Sequence, residues 1–261
     1  MTRPKMWVED VCCDGVVSIY FSSWKYFSTY IHDEMLEYSS YIWRGQRNMK
    51  WKLEPTLDRE LKKLGKNTIA NQNRHIAEFK FGVRGRRGSN PAKIESDNDW
   101  WALGQHYGLN TPLLDWTASP FVAAFFAFEK EENDSDYRVI FALHRQDVID
   151  KSKAIEKDWK GEKRPPIIEV IRPLMDENTR LVNQSGLFTR APIGTDVEEW
   201  VRNNNRGDDE DFALMKLYVP NRDRDKCLIS LNRMNINHLT LFPDLLGSSK
   251  YCNLKLMINR Y

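Results

Sequence analysis

Long apolar runs are missing from this chain. The longest, residues 121–128 (FVAAFFAF), is far below the roughly 20 residues that a membrane helix needs. Cysteine is scarce as well. Of the four present, Cys12 and Cys13 are adjacent and Cys227 and Cys252 are distant, so no CxxC spacing offers a metal or redox site. A small secreted scaffold would carry more cysteine in a shorter chain, and the expectation is reduced thiols in a cytoplasmic protein. The five histidines are scattered, with no HxxxH and no His/Cys cluster, so no metal site is expected. No Gly-x-Ser-x-Gly elbow, Walker loop or GxGxxG follows a strand, which leaves ordinary hydrolase, P-loop and Rossmann readings without support. The first ten residues are charged and have no apolar stretch, so no secretory signal is expected there. Internal repeats and low-complexity tracts are absent too.

Charge of one sign is also lacking. The 261 residues carry 39 Lys+Arg against 37 Asp+Glu, a formal net charge of +2, which excludes a binder whose whole surface grips nucleic acid. What is abundant is aromatic: nine Trp, ten Tyr and twelve Phe, enough to exclude disorder throughout and to fill a core of normal proportions. Function must then sit in a local constellation of residues.

The pattern along the chain is mixed. Trp24, Phe27, Ile31, Met35 and Tyr38 recur at spacings of three and four after Ser22 and Ser23, predicting an N-terminal helix over 22–38 capped by a serine hydroxyl. Tyr41-Ile42-Trp43 reads as a strand that ends in a turn at Arg44-Gly45-Gln46. A charged helical region over 57–81 runs into a glycine-rich basic loop, 82–89, expected to be mobile. Asn98 and Asp99 look like the N-cap of a helix bearing Trp100, Trp101, Leu103 and Tyr107, stopped at Gly108. Asp115-Trp116-Thr117 reads as a short strand, and Ser119-Pro120 opens a helix that is apolar all round and therefore buried. Branched residues over 138–144, 167–171 and 216–219 predict strands, and Cys227, Leu228, Leu231 and Met234 a late helix face. The stretches 151–166 and 194–211 are too polar to suggest more than a charged connection and a solvated insertion loop. Helices and strands without strict βαβ alternation favour a single α+β domain over 1–261.

Five segments have specific wording, in this order: Trp43-Arg44-Gly45-Gln46, Gln105-His106-Tyr107-Gly108, Leu114-Asp115-Trp116-Thr117-Ala118-Ser119-Pro120, Arg180-Leu181-Val182-Asn183-Gln184-Ser185-Gly186-Leu187-Phe188 and Leu241-Phe242-Pro243-Asp244-Leu245. Together they resemble the FRG domain, a family named for its aromatic-Arg-Gly motif, over about 41–247. The aromatic-Arg-Gly wording followed by Thr-x-Ser at the head of an Ala- and Phe-rich helix is also similar to the ADP-ribosyltransferase superfold. That resemblance implies a split β-sheet core with surrounding helices and NAD as substrate, with ADP-ribosyl transfer or NAD cleavage as the reaction, of the kind a toxin or anti-phage effector uses. It implies that Arg44 holds the NAD ribose and phosphates and that Thr117 and Ser119 shape the nicotinamide pocket. A late-strand glutamate would activate the attacking group, but the matching position is Gln184, an amide. Cleaving the nicotinamide–ribose bond builds positive charge on the ribose, and an amide supplies no countercharge, at a cost of several kcal/mol. Either Glu169 or Asp115 substitutes, or the site binds a nucleotide-like ligand without this chemistry.

The residues have plainer readings beside these. Arg44 next to a glycine offers a planar fork for phosphate, with Gly45 letting a ligand approach the backbone and Gln46 beside it; alternatively Arg44 pairs with a buried Asp115 to lock a turn. His106, at a helix end next to Tyr107, suits acid–base work or pyrophosphate binding, or simply caps the helix carbonyls. Asp115 at the end of an apolar run is expected to be buried, with a structural or substrate-orienting role. Glu169 on its strand is expected to point to solvent from the sheet edge. Trp43, Tyr107, Trp116 and Phe188 each flank a polar motif residue and are expected to wall the pocket. Arg84, Arg86 and Arg87 carry an alternative, a non-enzymatic module that binds nucleic acid or a nucleotide. No membrane contact is expected.

Overall fold

Eight strands share one hydrogen-bonded sheet, and helices cover both of its faces. The structure, a computed structural model, describes residues 6–173, 179–207 and 212–261. Chain order gives β1 (Trp7–Glu9), β2 (Val16–Phe21), α1 (Trp24–Glu34), β3 (Tyr41–Gln46), α2 (Thr56–Lys63), α3 (Ile69–Gly82), α4 (Asp97–His106), β4 (Leu114–Thr117), α5 (Pro120–Phe128) and β5 (Tyr137–His144). It continues with α6 (Arg145–Asp158), β6 (Glu169–Ile171), α7 (Thr179–Asn183), β7 (Gly186–Arg190), α8 (Val197–Asn204), β8 (Leu214–Pro220), α9 (Arg224–Arg233), α10 (His238–Leu241) and α11 (Leu245–Met257). The strand order is β1-β2-β8-β5-β3-β4-β7-β6, antiparallel throughout except for the β2–β8 pair. The mixed α+β class read from the sequence is what forms.

The sheet is nearly divided in the middle. β3 pairs with β5 through six residues, Tyr41↔His144 to Gln46↔Val139, but with β4 through Trp43↔Thr117 alone. Continuing that register would set Gly45 opposite Asp115, yet the strands have already parted there. A two-part sheet was expected; the halves here stay joined by this one pair.

The period-two alternation of strands decides which side chain enters which core. On β5, Ile140 and Ala142 face a core shared with α1, α5 and α9, while Val139, Phe141 and Leu143 face one shared with α6 and α8. A smaller third core lies under α2, α3 and α4, around Leu57, Ile76 and Trp101. Helix α5 is buried at six of nine positions, as its uniform apolarity requires. Ser119 caps it, accepting from Val122 N at 3.3 Å, with Pro120 at the first helical position. At its other end Arg224 donates to the carbonyls of Phe128 and Glu129, which the helix leaves unpaired.

Several expectations need correction. Arg44-Gly45-Gln46 is not a turn: the strand runs through it, because β5 supplies partners up to Gln46. Ser23 occupies the N-cap of α1 but makes no capping bond; Asp223 instead accepts from Trp24 N at 2.8 Å. The helical stretch 57–81 breaks into α2 and α3 at Gly65, whose φ of +65° suits glycine. Ser96, not Asn98 or Asp99, caps α4, accepting from Asp99 N at 3.1 Å, and Gly108 at φ +87° follows its end as expected. The polar stretch 151–166 begins as helix α6, which buries Val148 and Ser152 and leaves its other faces charged. The presumed insertion loop at 194–211 contains α8, capped by Asp196 and burying Val197, Trp200 and Val201 at helical spacing. Its acidic end, Asp208 to Asp211, lies outside the described residues. Strands β1, β2 and β7 were not anticipated.

Glycine 45 shows what this packing demands. A Cβ added there would lie 1.9 Å from the Ala123 carbonyl oxygen and 2.7 Å from Ala127 N, so α5 rests its backbone directly on β3. The glycine serves helix-on-strand contact rather than ligand approach. Gly45→Ala is expected to push α5 off the sheet and to cost about 1–3 kcal/mol or more, lowering the thermal midpoint by several degrees. An unchanged urea or thermal melt would refute this packing.

Candidate functional site

The gap between β3 and β4 is where polar groups collect. Arg44 leaves β3 there, and its Nη1 donates to the main-chain oxygen of Asp115 at 2.7 Å, supplying across the gap a hydrogen bond that the parted backbones do not make. The same nitrogen lies 3.7 Å from the Asp115 carboxylate. Arg44 Nε is buried without a hydrogen-bond partner among the described residues, although the side chain as a whole keeps 21% of its surface. Burial pulls the Arg44 guanidinium below its usual pKa; the neighbouring charge of Asp115 opposes the shift and that of Arg59 adds to it.

Asp115 is not buried as expected. Its side chain is 64% exposed, because β4 presents it away from the core while Leu114, Trp116 and Thr117 are buried. Gln105 holds it in place, with Nε2 donating to Asp115 Oδ1 at 2.7 Å while its own oxygen accepts from the Thr111 hydroxyl. In the Gln105-His106-Tyr107-Gly108 segment the glutamine thus reaches the site. His106 ends α4 with its ring against Tyr107, and neither lines the cavity described below. The sequence signal for Gln105 was its place one residue ahead of the eye-catching His106.

Thr117 enters from β4, and Gln184 from the turn between α7 and β7. The Thr117 hydroxyl donates to the Gln184 carbonyl at 2.7 Å and accepts from Ser119 N at 3.1 Å, so it fixes two backbones. Gln184 follows α7, and Ser185, at φ +47°, turns the chain into β7. The Gln184 amide nitrogen donates to the Leu241 carbonyl at 3.1 Å, and Arg180 donates to Asp244 from Nε at 3.0 Å. The fourth and fifth motif segments are therefore tied to each other. Asp244 also caps α11 through Gly247 N at 2.8 Å; that bond and Arg180 hold its carboxyl below the usual range.

Arg44, Gly45, Asp115, Thr117 and Gln184 line one cavity of about 320 Å³, walled by Trp43, Trp116, Phe126 and Phe242. Among the described residues Asp115 is the one carboxylate in its lining. Of the aromatic residues expected there, Trp43 and Trp116 take part. Tyr107 is 69% exposed, and Phe188 is buried in the third core, because β7 turns it away. Ser119 is spent on capping α5. Gln46 belongs to an adjoining cleft of about 510 Å³, which shares Arg44, Gly45 and Phe126 with the cavity.

Glu169 does not point to solvent. Half-buried, it accepts from Asn98 Nδ2 at 2.9 Å and Arg164 Nε at 3.0 Å, and Arg190 reaches Asn98 in turn. It does not line the cavity. In the basic loop, Arg84 lies over the ring of Phe81 and Arg87 over that of Trp100, while Arg86 is exposed. No group of His, Cys, Asp and Glu able to hold a metal occurs among the described residues. No described helix is long and apolar enough to cross a membrane.

A mixed α+β protein with one arginine bridging the seam of its sheet, beside a small aromatic-walled cavity, is the class that fold and site define. Residues 39–138 match the family model of the FRG domain, and this part of the chain carries that domain. The match contains the first three motif segments; the segments at 180–188 and 241–245 lie beyond it. No curated protein and no solved structure matches the chain.

The Glu169 cluster yields a pH dependence. Burial raises its pKa, but Arg164, Asn98 and Arg190 together outweigh it, and the carboxyl sits below the usual glutamate value. A depressed folded pKa stabilises fully above the unfolded value, about 4.3 for glutamate, and the contribution fades as pH falls through the folded one. Wild type should therefore melt above Glu169→Gln near pH 7, with the difference shrinking as pH drops below about 4. A difference in melting temperature that is constant from neutral to acid would contradict it.

Proposed function

We propose that the cavity binds the nicotinamide half of NAD and that the protein is an ADP-ribosyltransferase-like enzyme, transferring ADP-ribose or hydrolysing NAD. The observation that carries this is the convergence of Arg44 on β3, Thr117 on β4 and Gln184 in the turn between α7 and β7 on a single aromatic-walled cavity. A volume of about 320 Å³ lies at the lower end of small-molecule sites and suits half of a dinucleotide. Arg44, shared with the adjoining cleft, stands where the pyrophosphate would pass from one to the other.

In the reaction the nicotinamide–ribose bond breaks and its electron pair leaves with nicotinamide. Water or an acceptor group then adds to the ribose carbon and gives up a proton. The positive charge on the ribose needs a carboxylate nearby. Gln184 supplies none, and Glu169 is engaged elsewhere, so Asp115 takes this role and accepts the proton. Gln105 and Arg44 hold that carboxylate in place; both are positioning contacts already visible without ligand. Thr117 frames the pocket by fixing the Gln184 backbone, and the indole rings of Trp43 and Trp116 flank it.

The test is radiolabelled NAD incubated with wild type, Arg44→Ala and Asp115→Asn. Wild type should release nicotinamide, and Asp115→Asn should lower the rate about 10²–10³-fold while still binding NAD. Arg44→Ala should lose binding. If wild type neither releases nicotinamide nor retains the nucleotide, the reading is wrong.

A further inference from the structure

The cleft beside the cavity has a different chemistry. Six cations line it, Arg44, Arg47, Lys50, Lys52, Arg59 and Lys130, against two carboxylates, Glu54 and Glu129. Both carboxylates are engaged by groups from outside the lining: Glu54 pairs with Lys62, and Glu129 lies 3.3 Å from His238. Arg47 pairs with Glu132 and Asp134, and Lys52 with Asp196. Lys50, Arg59 and Lys130 have no carboxylate partner among the described residues. Arg59 and Arg44 are close enough that Arg59's charge lowers the pKa of Arg44. Cations gathered on one concave surface repel one another and attract an anion.

The cleft is also built, not a chance meeting of flexible lysines. Arg138, fully buried, donates to the Arg47 carbonyl at 2.7 Å and the Lys130 carbonyl at 3.3 Å, so one guanidinium fixes the backbone on both of its sides. Asn48 closes the turn that carries Lys50, accepting from Lys50 N at 2.9 Å. At the floor Gln46 is only 7% exposed, and its Oε1 is buried with no hydrogen-bond partner among the described residues. An unmet acceptor in a basic cleft calls for a ligand that also brings a hydrogen-bond donor. Trp51, 46% exposed, offers a flat face at the rim with the Arg47 guanidinium 4.8 Å from its ring centre.

We infer that this cleft is a binding site for a free nucleoside polyphosphate. Its phosphates lie among Arg44, Lys50, Arg59 and Lys130, a sugar hydroxyl or base amine donates to Gln46, and the base stacks near Trp51. The phosphate charge matches the unpaired cations. The cleft volume of about 510 Å³ suits one nucleotide rather than a strand of nucleic acid. Because Arg44 serves both spaces, such a nucleotide competes with NAD; this competition alone rests on the reading above, while binding in the cleft does not.

The experiment is calorimetric titration of the full chain, without NAD, using ATP, ADP, AMP and inorganic tripolyphosphate at about 50 and 200 mM salt. Affinity should fall from ATP to ADP to AMP, fall again with salt, and be higher for ATP than for tripolyphosphate. The double variant Lys50→Ala/Lys130→Ala should bind ATP at least about tenfold more weakly at an unchanged melting temperature, since neither side chain has a hydrogen-bond or ion-pair partner among the described residues to lose. Arg86→Ala, in the exposed loop, should bind ATP like wild type. The site is overturned if ATP does not bind, if the double variant binds it normally, or if Arg86→Ala is the variant that loses it. Equal affinity for tripolyphosphate and ATP would overturn the nucleoside part. Nicotinamide release is not measured in this experiment, so its outcome and that of the NAD assay fail separately.

Discussion

Two contacts join the parts of the sheet across its seam, the Trp43↔Thr117 pair and a hydrogen bond from Arg44. Past Trp43↔Thr117 the backbones of β3 and β4 diverge, and the Asp115 carbonyl would face a gap. Arg44 Nη1 spans it at 2.7 Å. The Asp115 carbonyl thus has a partner that β3 does not supply, so a long cationic side chain spans the seam where the backbones do not. An open seam means a cavity, and every other feature of the site is arranged around that opening. Gln105 fixes the carboxylate on one side, Thr117 fixes the Gln184 backbone on the other, and the Leu241–Asp244 segment is drawn over the end by Gln184 and Arg180.

The Trp-Arg-Gly triplet can then be understood as three separate physical demands on consecutive residues. Trp43 makes the last pair before the strands part and contributes a ring to the cavity. Arg44 bridges the opening. Gly45 has no side chain because the backbone of α5 occupies the place where one would be. The alternation of a strand makes this compatible, since neighbouring residues face opposite ways. Binding and structure are not alternatives at Arg44: a guanidinium has five donors, and the bridge consumes one nitrogen's contact.

Charge in this protein is a matter of placement. The net value of +2 conceals a cleft with six cations and two carboxylates, both of them in contact with groups from outside the lining. The compensating acids lie elsewhere on the surface. Buried Arg138 and Arg224 set the geometry around the cleft, one by fixing its walls and the other by closing the end of α5. A sum over the sequence cannot distinguish an arginine that holds carbonyls from one that awaits a phosphate.

Local patterns were legible from residue order wherever the deciding interactions are local. The α1 stripe, the Ser119-Pro120 start of α5, the stop at Gly108 and the branched strands β5 and β8 all follow from spacing, capping and backbone freedom within a few residues. The motif segments were also visible, and with them the residues that meet at the cavity. The sequence could not show contacts made by residues far apart in the chain. Asp223 caps α1 from 199 residues away, Arg224 closes α5, and Gln105 rather than His106 reaches Asp115. Polar segments such as α6 and α8 hid short buried faces that only a neighbouring sheet reveals. The sequence by itself therefore determined the α+β class, the buried helix and the motif residues Arg44, Gly45, Asp115, Thr117 and Gln184 that line the cavity. Tertiary structure alone decided that the strand continues through Arg44, that Gly45 belongs to α5, and that Asp115 is the carboxylate in the cavity. These depend on how two backbones diverge, and no pattern within either strand encodes that.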